Sequence, residues 1–297
     1  MIMDTVKNQQ ESFETRKGDW IRITIIFFLL TLFKAVLGFL LLLVILNPAL
    51  IAQENDHLVV FEDGEELRYR VSWTFIRLGT VVIRQRMVDA ERYTISLEAE
   101  SDPRLPFIDV YFVNESIIST HPVKSLEFRS TLGRDRSKVF VHELDSSGKT
   151  LHLTEYRNGV EVDHTVATLE REIHDDPSLF MFIRLLSGSG KQSEVISVME
   201  GKLTRTVFTF FDEAENVDLA IVDNALGAHR FEGKADWSRP DYAGLKGEFT
   251  GWVSCDSARI PLRIEAKIFL GSIVLELESY KRAGWTLGGT KITQSSR

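Results

Sequence analysis

Beyond residue 57 apolar and polar side chains alternate. Leu67, Tyr69, Val71, Trp73 and Phe75 fall on one face of an extended backbone, with Arg68, Arg70, Ser72 and Thr74 on the other. Tyr93, Ile95, Leu97 and Ala99 alternate with Thr94, Ser96, Glu98 and Glu100, and the run from Ile260 to Leu270 alternates in the same way. A period of two marks strands with one buried face. The punctuation between the runs agrees. Asn158-Gly159 predicts a type I′ turn, Ser146-Ser147-Gly148 a three-residue loop, and Asp256–Arg259 and Glu200–Lys202 further turns. Gly271-Ser272 predicts a two-residue type II′ hairpin. That register sets Leu270 opposite Ile273, Ile268 opposite Leu275 and Ala266 opposite Leu277, with Lys267 meeting Glu276 and Glu265 meeting Glu278.

One segment has the helical period. Asp176-Pro177-Ser178 reads as an N-cap followed by proline at the first helical position, and Gly188 marks the end. Leu179, Phe182, Ile183 and Leu186 form the apolar stripe between them. Phe107, Val110 and Tyr111, after Pro103 and Pro106, suggest a shorter helix. About a dozen or more strands exceed the ~10 that an open flat sheet usually carries. The predicted fold is therefore mainly β: one strongly curved antiparallel sheet over residues 58–282, a roll or partly open barrel, with one short amphipathic helix on an open side.

The N-terminus reads differently. Residues 23–46 are an almost unbroken apolar run, long enough at ~1.5 Å per residue to span a bilayer. Arg16, Lys17 and Arg22 precede it, and Glu54 and Asp56 follow, so the positive-inside rule keeps residues 1–22 cytoplasmic and sends the rest across. Two readings stay open. Lys34 closes a long n-region, Asn47-Pro48 ends the apolar helix, and a peptidase cuts after Ala52 within a 47–57 linker. Alternatively the segment stays as a single-pass anchor that tolerates Lys34 at ~2.5–3.5 kcal/mol. Both put the β-domain, followed by a 283–297 tail, in the periplasm or on its side of the inner membrane.

Charge and composition narrow the chemistry. The 297 residues carry a formal net charge of -8, which argues against holding nucleic acid through phosphate contacts. The single cysteine, Cys255, excludes an internal disulfide and any cysteine-cluster metal site. Ser187–Lys191 lacks the spacing and the terminal Ser/Thr of a phosphate loop, and no G-x-S-x-G or S-x-x-K nucleophile motif occurs. Asp212, Glu213, Glu215 and Asp218 lack calcium-loop spacing. His142 and His152 would face each other across the 146–148 hairpin, two imidazoles where zinc needs three or four ligands. No metal or cofactor is expected. His174, Asp175, Asp176 and Arg184 form the best local cluster for a hydrolase, which requires them to converge in a cleft.

Several short motifs recur together: Gly64-Glu65-x-Leu67-x-Tyr69 with Gly79; Asp176-Pro177-Ser178 with Arg184; Trp252-x-Ser254-x-Asp256 with Ile260-Pro261-x-Arg263-x-Glu265; and Gly271-Ser272 leading into Leu275-x-Leu277. In this order over residues 58–282 the chain resembles the bacterial exported proteins classed as domain of unknown function 3108. The resemblance implies a β-roll in a Gram-negative envelope and supplies no catalytic residue. On physical grounds Gly64 and Gly79 supply turn or bulge geometry, Pro261 sits at a strand start, Trp252 plugs the core, and Arg184 pairs with a carboxylate such as Asp256. The leading functional expectation is a non-enzymatic envelope protein. It binds a partner or an amphiphilic ligand, with Tyr69, Trp73, Phe75, Phe208, Phe210 and Trp252 lining the site or the core. An anchored assembly factor and an envelope hydrolase are the alternatives.

Overall fold

A computed structural model describes residues 57–105, 108–145, 147–199, 202–235, 245–268 and 271–288. The apolar segment 23–46, the cleavage position after Ala52 and the turn at Glu200-Gly201 lie outside these residues. After a 3-10 turn (His57–Val60) come β1 (Glu66–Trp73), β2 (Ile76–Met87), β3 (Arg92–Ser101), β4 (Tyr111–Thr120), β5 (Val123–Leu132), β6 (Lys138–Leu144), β7 (Thr150–Arg157) and β8 (Val160–Thr168). The helix α1 (Asp176–Leu186) interrupts them. There follow β9 (Gln192–Met199), β10 (Lys202–Val217), β11 (Leu226–Ala235), β12 (Leu245–Ser254), β13 (Pro261–Ile268) and β14 (Gly271–Lys281).

All fourteen strands form one sheet in the order β8-β7-β6-β5-β4-β3-β2-β1-β14-β13-β12-β11-β10-β9. Each strand pairs antiparallel with its chain neighbour except at β8 and β9, and β1 joins β14. The sheet is thus a meander rolled so far that its first and last strands meet, with one seam left between β8 and β9. It is not closed into a barrel. The curl is strong enough for Leu151 and Leu153 of β7 to share a small apolar cluster with Ile173 and Val198 of β9.

The helix occupies the concave side and fills it, rather than merely covering an opening. Leu179, Phe180, Met181 and Ile183 are all buried, and each such side chain contributes about 1.5–3 kcal/mol of burial. The predicted stripe is only half right: Phe182 and Leu186 are the partly exposed members. Phe180 meets Tyr69 of β1 edge-on at 6.4 Å, and Phe182 meets Phe208 and Phe210 of β10 at 6.5 and 6.1 Å. The main core joins α1 to β1–β4 and β9–β14 in a single cluster.

Several predicted details shift. The N-cap is Asp175, one residue before the predicted Asp176, because Asp175 and Ser178 form the reciprocal capping pair. Asp176 and Pro177 take the first two helical positions. Val110 and Tyr111 lead into β4 instead of a second helix, while Phe107 lies outside the described residues. The β13–β14 pairing sets Ile268 opposite Gly271, Ala266 opposite Ile273 and Arg263 opposite Glu276. Gly271 therefore opens β14, Glu265 faces Val274 instead of Glu278, and the predicted faces survive because the slip is even. The β6–β7 slip is odd. Leu144 pairs with Leu151, so His142 faces Leu153 and His152 faces Glu143. An odd slip sends a side chain to the opposite face, which separates the two histidines. Asn158-Gly159 does make the type I′ turn, with φ of 50° and 78°.

Candidate functional site

Two of the motifs meet at Arg184. Its guanidinium is fully buried on α1 and donates to both oxygens of Glu65, Nη1 to Oε1 at 2.6 Å and Nη2 to Oε2 at 3.1 Å. Nη2 also donates to the Ala258 carbonyl at 2.8 Å and Nε to the Arg259 carbonyl at 3.1 Å. The predicted partner, Asp256, instead builds the turn that presents those carbonyls: its Oδ1 accepts from the Ala258 and Arg259 amides. A second arginine, Arg282 after β14, also donates to Glu65, and so does Gln85 of β2. Burial alone would raise the Glu65 carboxyl; the two guanidinium groups overturn that and hold it below its ordinary value. This junction ties the start of β1, the helix, the β12–β13 turn and the end of β14 together. Glu65 and Arg282 escape sequence reasoning because nothing in their spacing marks a partner for Arg184. The only signal is Glu65 beside Gly64, whose φ of +76° turns the chain into β1.

A second buried network holds the other end of the helix. Asp175 Oδ1 accepts the Ser178 amide at 2.9 Å, and its Oδ2 accepts the Ser116 hydroxyl of β4 at 2.6 Å. Asn114 donates to Asp176 Oδ2 at 2.5 Å. Burial raises the Asp175 carboxyl above its ordinary value, partly offset by these hydrogen bonds. The His174 ring lies against Phe182, and its backbone makes an isolated parallel bridge to Ser197 of β9. The hydrolase cluster is therefore divided. Asp175 and Asp176 turn to β4, whereas Arg184 turns to Glu65.

The aromatic candidates also separate. Tyr69 is buried with its hydroxyl donating to the Pro261 carbonyl. Phe208 stacks on Phe210 and meets Phe231 at a tilt and Phe249 edge-on in the core. Gly233 and Gly251 leave room for those rings: a Cβ would fall 1.7 Å from Phe249 Cζ at the first and 2.3 Å from Phe231 at the second. Gly79 serves a close approach of a different kind, since a Cβ there would lie 2.3 Å from the Glu100 carbonyl oxygen. Trp73 is half-buried at the end of β1. Phe75 stands in the β1–β2 turn rather than in a strand, 94 % exposed. Trp252 does not plug the core; it lies on the outer face, half-buried, with its indole donating to Glu215 at 3.1 Å. Pro261 starts β13, as predicted. Cys255 is exposed at the end of β12.

The two ends of the sheet differ. His174 covers part of the β9 edge, donating to the Ile196 carbonyl and accepting from the Val198 amide. β8 has no partner strand on its outer side among the described residues. Nearly every residue of β8 is exposed, and Val160, Val162 and Val166 are each at least half exposed. On its outer face His152 of β7 meets His164 of β8, Nδ1 to Nε2 at 3.5 Å. His142 is buried against Phe128, and burial lowers it to about 3, the same value as His174. No helix among the described residues is long and apolar enough to cross a membrane.

Comparison with curated proteins finds no match. Comparison with solved structures gives matches at low identity. The chain is similar to a β-barrel-like protein of domain of unknown function 1849 from Brucella abortus, with 9 % identity, TM-score 0.49, and coverage of 76 % of this chain and 100 % of that one. It is also similar to a hypothetical protein, CT021, from Chlamydia trachomatis, with 8 % identity, TM-score 0.34, and coverage of 77 % and 92 %. A YmcC-like exported-protein candidate from Bacteroides fragilis gives 10 % identity, TM-score 0.30, and coverage of 75 % and 97 %. A family model matches residues 68–278, which takes in β1 to β14 and the helix they enclose, so the chain belongs to the DUF3108 family of proteins of unknown function.

Proposed function

We propose that this protein is exported to the cell envelope and acts there by binding or assembly, with an extended segment of an envelope partner pairing along β8. The observation that carries the reading is the contrast between the sheet ends. An edge strand is a template for another chain and is normally blunted or covered. Here the β9 edge is bridged by His174, while β8 carries exposed valines and has no partner on its outer side among the described residues. Its bulge, near Glu161, and its acidic pair Glu161 and Asp163 limit indiscriminate pairing while leaving the segment from His164 to Thr168 regular. A pairing strand would gain main-chain hydrogen bonds along this segment and contacts on alternate side chains. The packed rings of Phe208, Phe210, Phe231 and Phe249 favour a partner at the edge over an apolar ligand in the interior. Export follows from Arg16, Lys17 and Arg22 ahead of the apolar run at 23–46, and the same run holds the protein to the membrane if it is not cleaved.

The test is photo-crosslinking in intact envelopes. A photoreactive residue at Val162 or Val166 should give a discrete adduct that a residue at Ser72, on the outer face of the sheet centre, does not. Mass spectrometry of the same preparation reads the mature N-terminus, at Gln53 after cleavage or upstream of it in the anchored form. Equal adduct patterns at all three positions would refute the edge as the docking surface.

A further inference from the structure

We infer that His152 and His164 form a binding site for a divalent transition-metal ion of the zinc class on the outer face of the β7–β8 hairpin. This inference does not depend on the partner-binding role. The two residues sit diagonally on neighbouring strands: His152 is opposite Val166 and His164 opposite Thr154. Their facing nitrogens are 3.5 Å apart and their rings are perpendicular, at 88°. Two imidazoles bound at ~2.0–2.1 Å to one tetrahedral ion have nitrogens about 3.3–3.4 Å apart. The pair is already at nearly that separation, and two hydrogen-bonded strands hold it there.

A carboxylate independently points to the same use. Glu161 Oε1 lies 3.8 Å from Nδ1 of His164. That is longer than a hydrogen bond; the acid adds negative charge beside the pair, and on closing onto Nδ1 it would make the outer-shell hydrogen bond usual for metal-bound histidine, with Nε2 left as the ligand. Nε2 is the nitrogen that faces His152. The side chain is 43 % exposed, so an ion can reach it. No third imidazole, carboxylate or thiol joins the pair among the described residues. Water, or a donor on a docked segment, completes the shell. Imidazole ligands suit zinc, copper and nickel, and magnesium is not expected to compete. A simple imidazole–imidazole hydrogen bond is the competing account of the 3.5 Å contact.

Calorimetric titration of the untagged full-length protein with Zn2+ separates the two. One ion should bind per chain. His152→Ala and His164→Ala should each weaken binding at least tenfold, and Glu161→Gln should weaken it by a smaller factor. His121→Ala, in the β4–β5 turn, should leave it unchanged. Zinc should also shift the ring resonances of His152 and His164 while those of His142 and His174 stay in place, a readout that does not depend on the variants folding. Equal zinc binding by wild type and both alanine variants, or no binding by wild type up to millimolar zinc, would overturn the site.

Discussion

β13 and β8 are strands of similar length with the same alternation, and they have opposite fates. In β13 Leu262, Ile264, Ala266 and Ile268 are buried, and even the intervening Arg263 is held by Glu265 and Glu276. In β8 Val160, Val162 and Val166 are exposed. The alternation is a property of each strand alone, whereas burial depends on what lies on either side. β13 has strands on both flanks and the helix-filled interior beneath it. Among the described residues β8 has a strand on one flank only, whereas the β-strands that α1 touches most are β3, β4 and β5. One pattern thus encodes a core strand in the first case and an accessible edge in the second.

The contrast can be broken most sharply at the junction that holds the core together. Glu65→Ala leaves Arg184 and Arg282 facing each other without a carboxylate. Removing one partner of a buried ion pair costs about 3–5 kcal/mol, so denaturant unfolding should show a loss of that size. Next comes the direct strand comparison. Ile264→Ala in β13 should cost about 2–5 kcal/mol through the cavity it leaves. Val162→Ala in β8 should stay within about 0.5 kcal/mol. Equal costs would mean that β8 is packed in solution.

Acid should act on the helix-side histidines. His142 and His174 hold folded values of about 3, below the ~6.5 of an unfolded imidazole. The unfolded chain therefore takes up their protons first. Stability is full above pH ~6.5 and falls as pH drops toward 3, by about 1.4 kcal/mol per pH unit for each ring. Asp175 has the opposite sign: its raised carboxyl stabilises the fold below the unfolded carboxylate value, and that contribution is lost as pH rises through the folded one. Melting temperatures should hold between pH 7.5 and about 6.5 and fall from there to pH 5, less steeply for His142→Phe. A further effect is at the helix cap. Asp175→Ala should cost about 0.5–2 kcal/mol, while Asp175→Asn, which keeps an acceptor for Ser178, should cost less.

The sequence carried the architecture because alternation and turn chemistry are local. Asn158-Gly159 has the backbone its residues demand, and the run from Ile260 onward is a buried strand. It failed where the decisive information was relational. A one-residue error in the 146–148 loop moved His142 to the inside, and the true neighbour of His152 proved to be His164, across a different hairpin. Trp252 has the composition of a core residue, but its register puts it outside. Arg184 announced a buried partner without naming it, because Glu65 lies 119 residues away. Phe75 ended an alternating run and looked like a strand residue; its exposure follows from Thr74, whose positive φ of 53° turns the chain there.

The central claim is that a helix-filled interior provides rigidity while β8 provides contact. Hydrogen exchange, compared between purified protein and native envelopes, tests it most directly. Amides of α1, β13 and β14 should exchange slowest and identically in both preparations. Those of residues 164–168 should exchange fast in the purified protein and slow markedly in the envelope. Residues 164–168 exchanging equally fast in both, with new protection appearing elsewhere on the sheet, would contradict the account.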